Sequence, residues 1–213
     1  MANPKEILIT RGDTFTMEFR WATDRLTYKA ITAISLASGP PRLTIASHGI
    51  PDRWPVAVTR VVGMKQINAE DTPPSSADYH EIRVVDANTI EFNDMDATGF
   101  SAYTSGGFVQ YYTPQDLTGY TARMDVKDKI GGAVLFSSQA ANSPLDIITL
   151  DVDEANFKTT ATITAEDTAA IAAHSGVTNL ELVSSTGVVT KLKGCLGKKE
   201  DPDPVRVVGE VTT

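Results

Sequence analysis

The sequence predicts an all-β (mainly β) chain, and three observations carry that expectation. Apolar and polar residues alternate with a period of two over several short stretches. Strand-like runs recur at roughly eight-to-twelve-residue spacing between Gly, Pro and Asp punctuation, as sandwiches and barrels require. Only one segment, near residues 165–175, carries helix signals.

The elements follow in order. Phe15, Met17, Phe19 and Trp21 alternate with Thr14, Thr16, Glu18 and Arg20, which predicts a half-buried strand entered through a turn at Gly12-Asp13 and ended by Ala22-Thr23-Asp24. Runs at 42–46 and 55–62 are broken by Gly39-Pro40-Pro41, Gly49-Ile50-Pro51-Asp52 and Gly63, so they read as short strands with turn punctuation. DTPPSSAD, residues 71–78, reads as a loop with no pattern that packs. Strand signals resume at HEIRVVD, TIEFND and GGFVQYY. Tyr120, Ala122, Met124 and Val126 then alternate with polar residues ahead of a Gly131-Gly132 hairpin turn. Ile147, Ile148 and Leu150 mark a further strand. In ATITAEDTAAIAAHSG, Thr164 is placed as an N-cap, Glu166 and Asp167 suit the first turn of a helix, and Gly176 suits its end. NLELVSS, GVVTKLKG and PVRVVGEV return to strand.

Composition excludes several classes. With 213 residues, 41% hydrophobic and 22% charged, the chain is long enough for one large or two small cores. A net charge of −8, with no basic run longer than Lys198-Lys199, disfavours nucleic acid and anionic membranes as partners. The start, MANPKEILITRGD, lacks a signal-peptide layout and no apolar run approaches the roughly 18 residues of a membrane span, which predicts a soluble chain made in a cytoplasm. The lone cysteine, Cys195, leaves no intramolecular disulfide and no multi-cysteine metal site.

Candidate chemistry is sparse. Arg11-Gly12-Asp13 spells a tripeptide that integrins read, but a turn feeding the next strand accounts for the Gly and the Asp on backbone grounds. His48, His80 and His174 lie far apart, with no metal-ligand spacing among them. Asp86, Glu91, Asp94 and Asp96 crowd one stretch. Counted from Asp94, the sixth position of a calcium loop is Gly99, but the twelfth is Ser105, which cannot clamp an ion. Asp151, Asp153 and Glu154 form a second acidic cluster that reads as a solvated turn. G-x-S-x-G, G-x-x-x-x-G-K and G-x-G-x-x-G signatures are missing. The expectation is therefore no enzyme, with no catalytic, cofactor-binding or metal residues and no cofactor. Asp86-Ala87-Asn88 is expected as a turn between antiparallel strands, with Glu91 facing solvent on the second of them.

Two groups of motifs carry a resemblance. His48-Gly49, Gly63-Met64, Ile67-Asn68, VVDANTIEF, Asp96-Ala97-Thr98 and SAYTSGG, in that order within about 31–112, resemble a small β-barrel module of bacteriophage structural proteins. That module is similar to the first-catalytic-cysteine half-domain of ubiquitin-activating enzymes, and no cysteine in this stretch supplies such chemistry. On either side, RGDTFTMEFRW, DLTGYTARMDVKD and TATITAEDTAAIAAHSGVTNLELVSSTG resemble the β-sandwich at the N-terminus of phage baseplate upper and tail-fibre attachment proteins. The resemblance implies a discontinuous β-sandwich, residues 1–29 plus 113–213, with the barrel, residues 30–112, inserted in a loop. It also implies a virion protein of a tailed phage, in tail, baseplate or neck, whose partners are other phage structural proteins and copies of itself. Apolar surface at Phe108, Tyr111 and Tyr112, or addition of PVRVVGEV to a neighbour's sheet, would supply contacts. The alternatives are a host receptor or glycan-binding adsorption module, with stacking at Tyr103, Tyr111 and Tyr112, and a capsid decoration protein.

Overall fold

The computed structural model describes residues 7–35, 39–129, 131–139, 141, 145–172, 176–191 and 203–208. The chain is mainly β and divides into two compact units, Met1–Trp21 with Gln115–Thr213, and Ala22–Pro114. The first unit opens with β1 (Ile7–Thr10) and β2 (Phe15–Arg20). Its boundaries with the second fall at Trp21/Ala22 and Pro114/Gln115, outside the 29/30 and 112/113 expected from sequence. The cause is β3 (Ala22–Ala30), which pairs antiparallel along β10 (Ser105–Pro114) from Ala30↔Phe108 to Ala22↔Pro114. Residues that seemed to end the first strand thus begin another.

The inserted unit continues with β4 (Ala33–Ser35), β5 (Arg42–Thr44), β6 (Pro55–Val62), β7 (His80–Glu81), β8 (Arg83–Asp86) and β9 (Thr89–Glu91). They form two four-stranded sheets, ordered β3-β10-β6-β7 and β4-β5-β9-β8. Two corners join the sheets. At the first, Ile31 N donates to Gly107 O (3.0 Å) and Thr32 N to Thr44 O (2.9 Å) as β3 bends into β4. At the second, Ile82 N donates to Trp54 O (3.2 Å) and Arg53 N to Ile82 O (2.8 Å) as β7 runs into β8. The two bends link the sheets, so the unit closes as a small barrel. Leu43, Trp54, Val56, Ile90, Phe92 and Val109 are buried in it, each contributing roughly 1.5–3 kcal/mol.

The sandwich resumes with β11 (Thr121–Lys127), β12 (Val134–Ser137), β13 (Thr149–Asp153), β14 (Lys158–Ile163), β15 (Gly176–Val183), β16 (Val189–Lys191) and β17 (Asp203–Val208). One sheet is ordered β1-β17-β15-β11-β12 with β16 also on β15; the other is β13-β14-β2. Phe19, Trp21, Ala161 and Ile163 pack with Met124, Val126, Phe136, Leu180 and Leu182 in one core. Trp21 Nε1 donates to Thr159 Oγ1 at 2.9 Å, satisfying its polar end inside that core.

Three local expectations change. The helix α1 spans only Ala165–Ala170, because Ile171 turns to extended backbone (φ −67, ψ 115) and is buried in the sandwich core. Gly176 opens β15 instead of ending a helix. The C-terminal strand β17 already pairs within the sandwich sheet, with β1 (parallel) along Val205–Val208 and with β15 (antiparallel) along Asp203–Val205. His174 and Cys195 lie outside the described residues.

Candidate functional site

The crowded carboxylates separate. Asp86 Oδ1 accepts from Asn88 N at 2.7 Å in the β8–β9 turn, the Asx geometry expected there. The Thr98 hydroxyl and then Thr98 N, which donates to Asp96 Oδ1 at 2.9 Å, hold the Asp96 carboxyl below its ordinary range. Asp94 Oδ2 lies 2.8 Å from His80 Nδ1, and the His80 ring meets Phe92 edge-on at 5.9 Å. Glu91 departs from expectation. It is buried rather than solvent-facing, because β9 places it between Arg42 on β5 and Arg83 on β8. Its Oε2 is 2.5 Å from Arg42 Nε and its Oε1 3.8 Å from Arg83.

The remaining candidates are structural. Asp153 accepts from Asn156 N (3.0 Å) and Nδ2 (2.7 Å) in the β13–β14 turn. His48 is buried, with Nε2 2.8 Å from Asp86 O and Nδ1 accepting from Ile50 N at 3.0 Å, which commits both ring nitrogens. The Arg11-Gly12-Asp13 turn is pinned by Thr168 of α1, whose hydroxyl accepts from Gly12 N (3.1 Å) and donates to Asp13 O (2.8 Å). Among the described residues, no three His, Cys, Asp or Glu side chains come together as metal ligands. Tyr111 is 4% exposed and Tyr103 donates its hydroxyl to Gly106 O at 3.0 Å. Tyr112 stacks on Tyr79 at 6.0 Å. The three tyrosines do not form an open stacking platform.

The inserted unit instead carries a groove of about 720 Å³, bounded by strands β3, β10 and β6 and by the loop after β6. Tyr28 and Phe108 line it at 55% and 38% exposure. Gln110 faces it from directly opposite Tyr28 on the neighbouring strand. Arg60, Asp71 and Pro74 complete the lining that matters for chemistry.

The loop bounding this groove is not the patternless segment that DTPPSSAD suggested. Ser75 caps a 3-10 turn at Ser76–Asp78, and the Asp78 carboxylate accepts from Glu70 N (2.8 Å), Ser75 N (2.7 Å) and the Ser75 hydroxyl (3.0 Å). Asn68 brackets Val61, accepting from its N (2.8 Å) and donating to its O (3.0 Å). Gln110 Nε2 donates to the Tyr79 hydroxyl at 2.9 Å, and burial raises the Tyr79 pKa. Burial disfavours the Asp78 anion, yet its hydrogen bonds outweigh that and hold the carboxyl below its ordinary 3.8. A depressed folded-state value stabilises the fold above the unfolded pKa, and that stability is lost as pH falls through the folded value. Asp78→Ala is expected to lose about 2 kcal/mol near neutrality. Urea titrations from about pH 6 to about pH 3 should show the gap from the parent narrowing; a constant gap would count against this role.

No protein-family model matches the sequence. No curated protein matches it either. Among the described residues, no helix is long and apolar enough to cross a membrane.

Proposed function

We propose that this chain is a non-enzymatic structural protein of a tailed-phage virion, a tail, baseplate or neck component that works by packing against copies of itself and neighbouring structural proteins. The reading rests on the ordered motifs that resemble phage barrel and baseplate-upper sandwich modules. One observation supports it above others: Gln115 N donates to Trp21 O at 2.9 Å, so the sandwich closes at the point where the chain leaves for Ala22–Pro114. The inserted unit therefore stands where a turn would otherwise sit, the arrangement the resemblance implies. Assembly surface is available at sheet margins. Leu8 on β1 is 55% exposed, and Val188 and Val189 beside and on β16 are 61% and 41% exposed. Closed virion symmetry would repeat any such contact.

Immunogold electron microscopy of purified particles, with antibody raised against this chain, tests the reading. Label confined to one ring or tip of the tail is the expected result. Label spread over the head would replace it with capsid decoration, and no label on intact or gently disrupted particles would sink it.

A further inference from the structure

We propose that the groove of the inserted unit binds a neutral saccharide. Two aromatic rings, Tyr28 and Phe108, stay exposed on adjacent strands at the groove, although burying either would have been favourable. Such rings offer flat apolar faces to the C–H faces of a sugar. Polar groups of both kinds accompany them. Arg60 supplies guanidinium donors, and Asp71 supplies carboxylate acceptors; neither side chain has a hydrogen-bond or ion-pair partner among the described residues. Gln110, only 5% exposed, spends its Nε2 on Tyr79, which leaves its amide oxygen as a second acceptor, without a partner among the described residues.

The charge pattern selects the ligand class. Arg60 and Asp71 oppose one another in sign, so neither an anion nor a cation is matched throughout the groove, whereas hydroxyls satisfy donors and acceptors alike. A proline-rich peptide also suits aromatic grooves, but proline has no backbone N–H to give to Asp71 or Gln110. The volume, about 720 Å³, falls in the range of small-ligand sites and leaves room for a short oligosaccharide. The walls are set in advance by the Asp78, Asn68 and Gln110 bonds, which lowers the entropy lost on binding. This site is independent of the sheet margins and of where the chain acts.

The test is a ¹⁵N–¹H NMR titration of the full chain with maltotriose, cellotriose, chitotriose and an array of neutral bacterial surface oligosaccharides. At least one is expected to give saturable shifts centred on Tyr28, Arg60, Asp71, Phe108 and Gln110. Tyr28→Ala, which removes exposed surface and leaves the core intact, should weaken that Kd about tenfold, as should Phe108→Ala. Asp71→Asn should weaken it less, since an amide still accepts. Saccharide binding that ignores both aromatic substitutions would overturn the proposal, as would no saturable shift with any neutral saccharide. Shifts produced by a polyproline peptide and by no sugar would overturn it in favour of a peptide groove.

Discussion

A Gly63→Val variant is expected to lose at least about 3 kcal/mol from the barrel while leaving the sandwich folded. Gly63 follows β6 at φ +90, a left-handed conformation that side chains with a Cβ rarely adopt. A Cβ there would also collide with the Ala102 carbonyl and Thr104 hydroxyl, and lie 2.8 Å from the Thr104 amide nitrogen. Backbone on that side cannot retreat easily, because Thr104 N donates to Val62 O at 2.9 Å. Gly106 is the internal control. It too has positive φ, +69, but its Cβ would meet only the Arg60 carbonyl at 3.3 Å and the edge of Val62. Gly106→Val therefore carries the backbone strain with little of the collision, and about 1–2 kcal/mol is expected. The chain has two tryptophans, one buried in each unit: Trp21 at 3% and Trp54 at 2% exposure. In a Trp21→Phe background, Trp54 fluorescence should report an early urea transition for Gly63→Val. In a Trp54→Phe background, Trp21 should report no change on adding Gly63→Val, since every residue of the sandwich core comes from Met1–Trp21 and Gln115–Thr213. Equal midpoints for Gly63→Val and Gly106→Val would remove the steric explanation.

Strand periodicity was the most legible feature of the sequence. The alternation through Trp21 and from Tyr120 to Val126 gives half-buried strands because one face meets a core and the other does not. Turn chemistry was equally readable at Asp86-Ala87-Asn88 and at Gly131-Gly132, where local backbone geometry alone selects the residues. What could not be read depended on partners distant in sequence. Ala22-Thr23-Asp24 has the composition of a strand end, yet β3 starts there because β10, more than 80 residues later, supplies its hydrogen bonds. The helix stopped early because the sandwich core claimed Ile171. The groove was least visible of all: Tyr28 and Gln110 become neighbours only through the β3–β10 register, and Arg60 and Asp71 flank a loop whose order comes from Asp78. A hint existed in Phe108 and Tyr111, taken together as a patch. Their odd spacing puts them on opposite faces of one strand, one exposed at the groove and the other buried.

Glu91 yields the second large prediction, because its burial reverses the usual reading of a glutamate on a short strand. Its side chain is 7% exposed while those of Arg42 and Arg83 are 44% and 57% exposed, so the desolvated charge is the carboxylate. Both arginines stand directly opposite it on the flanking strands, a ladder of plus, minus, plus across β5, β9 and β8. Removing the cations strands an anion that water cannot reach, whereas removing the anion leaves two arginines that water can solvate. Arg42→Met with Arg83→Met is thus expected to lose roughly 3 kcal/mol, toward the low end for a broken buried pair because the arginines are partly solvated. Adding Glu91→Leu to that double variant should restore most of the loss, since an apolar ladder needs no counter-charge. Chemical denaturation of the parent, double and triple variants, followed at Trp54, measures both steps. A triple variant less stable than the double would mean that Glu91 contributes through its shape or hydrogen bonding and not through its pairing with the two arginines.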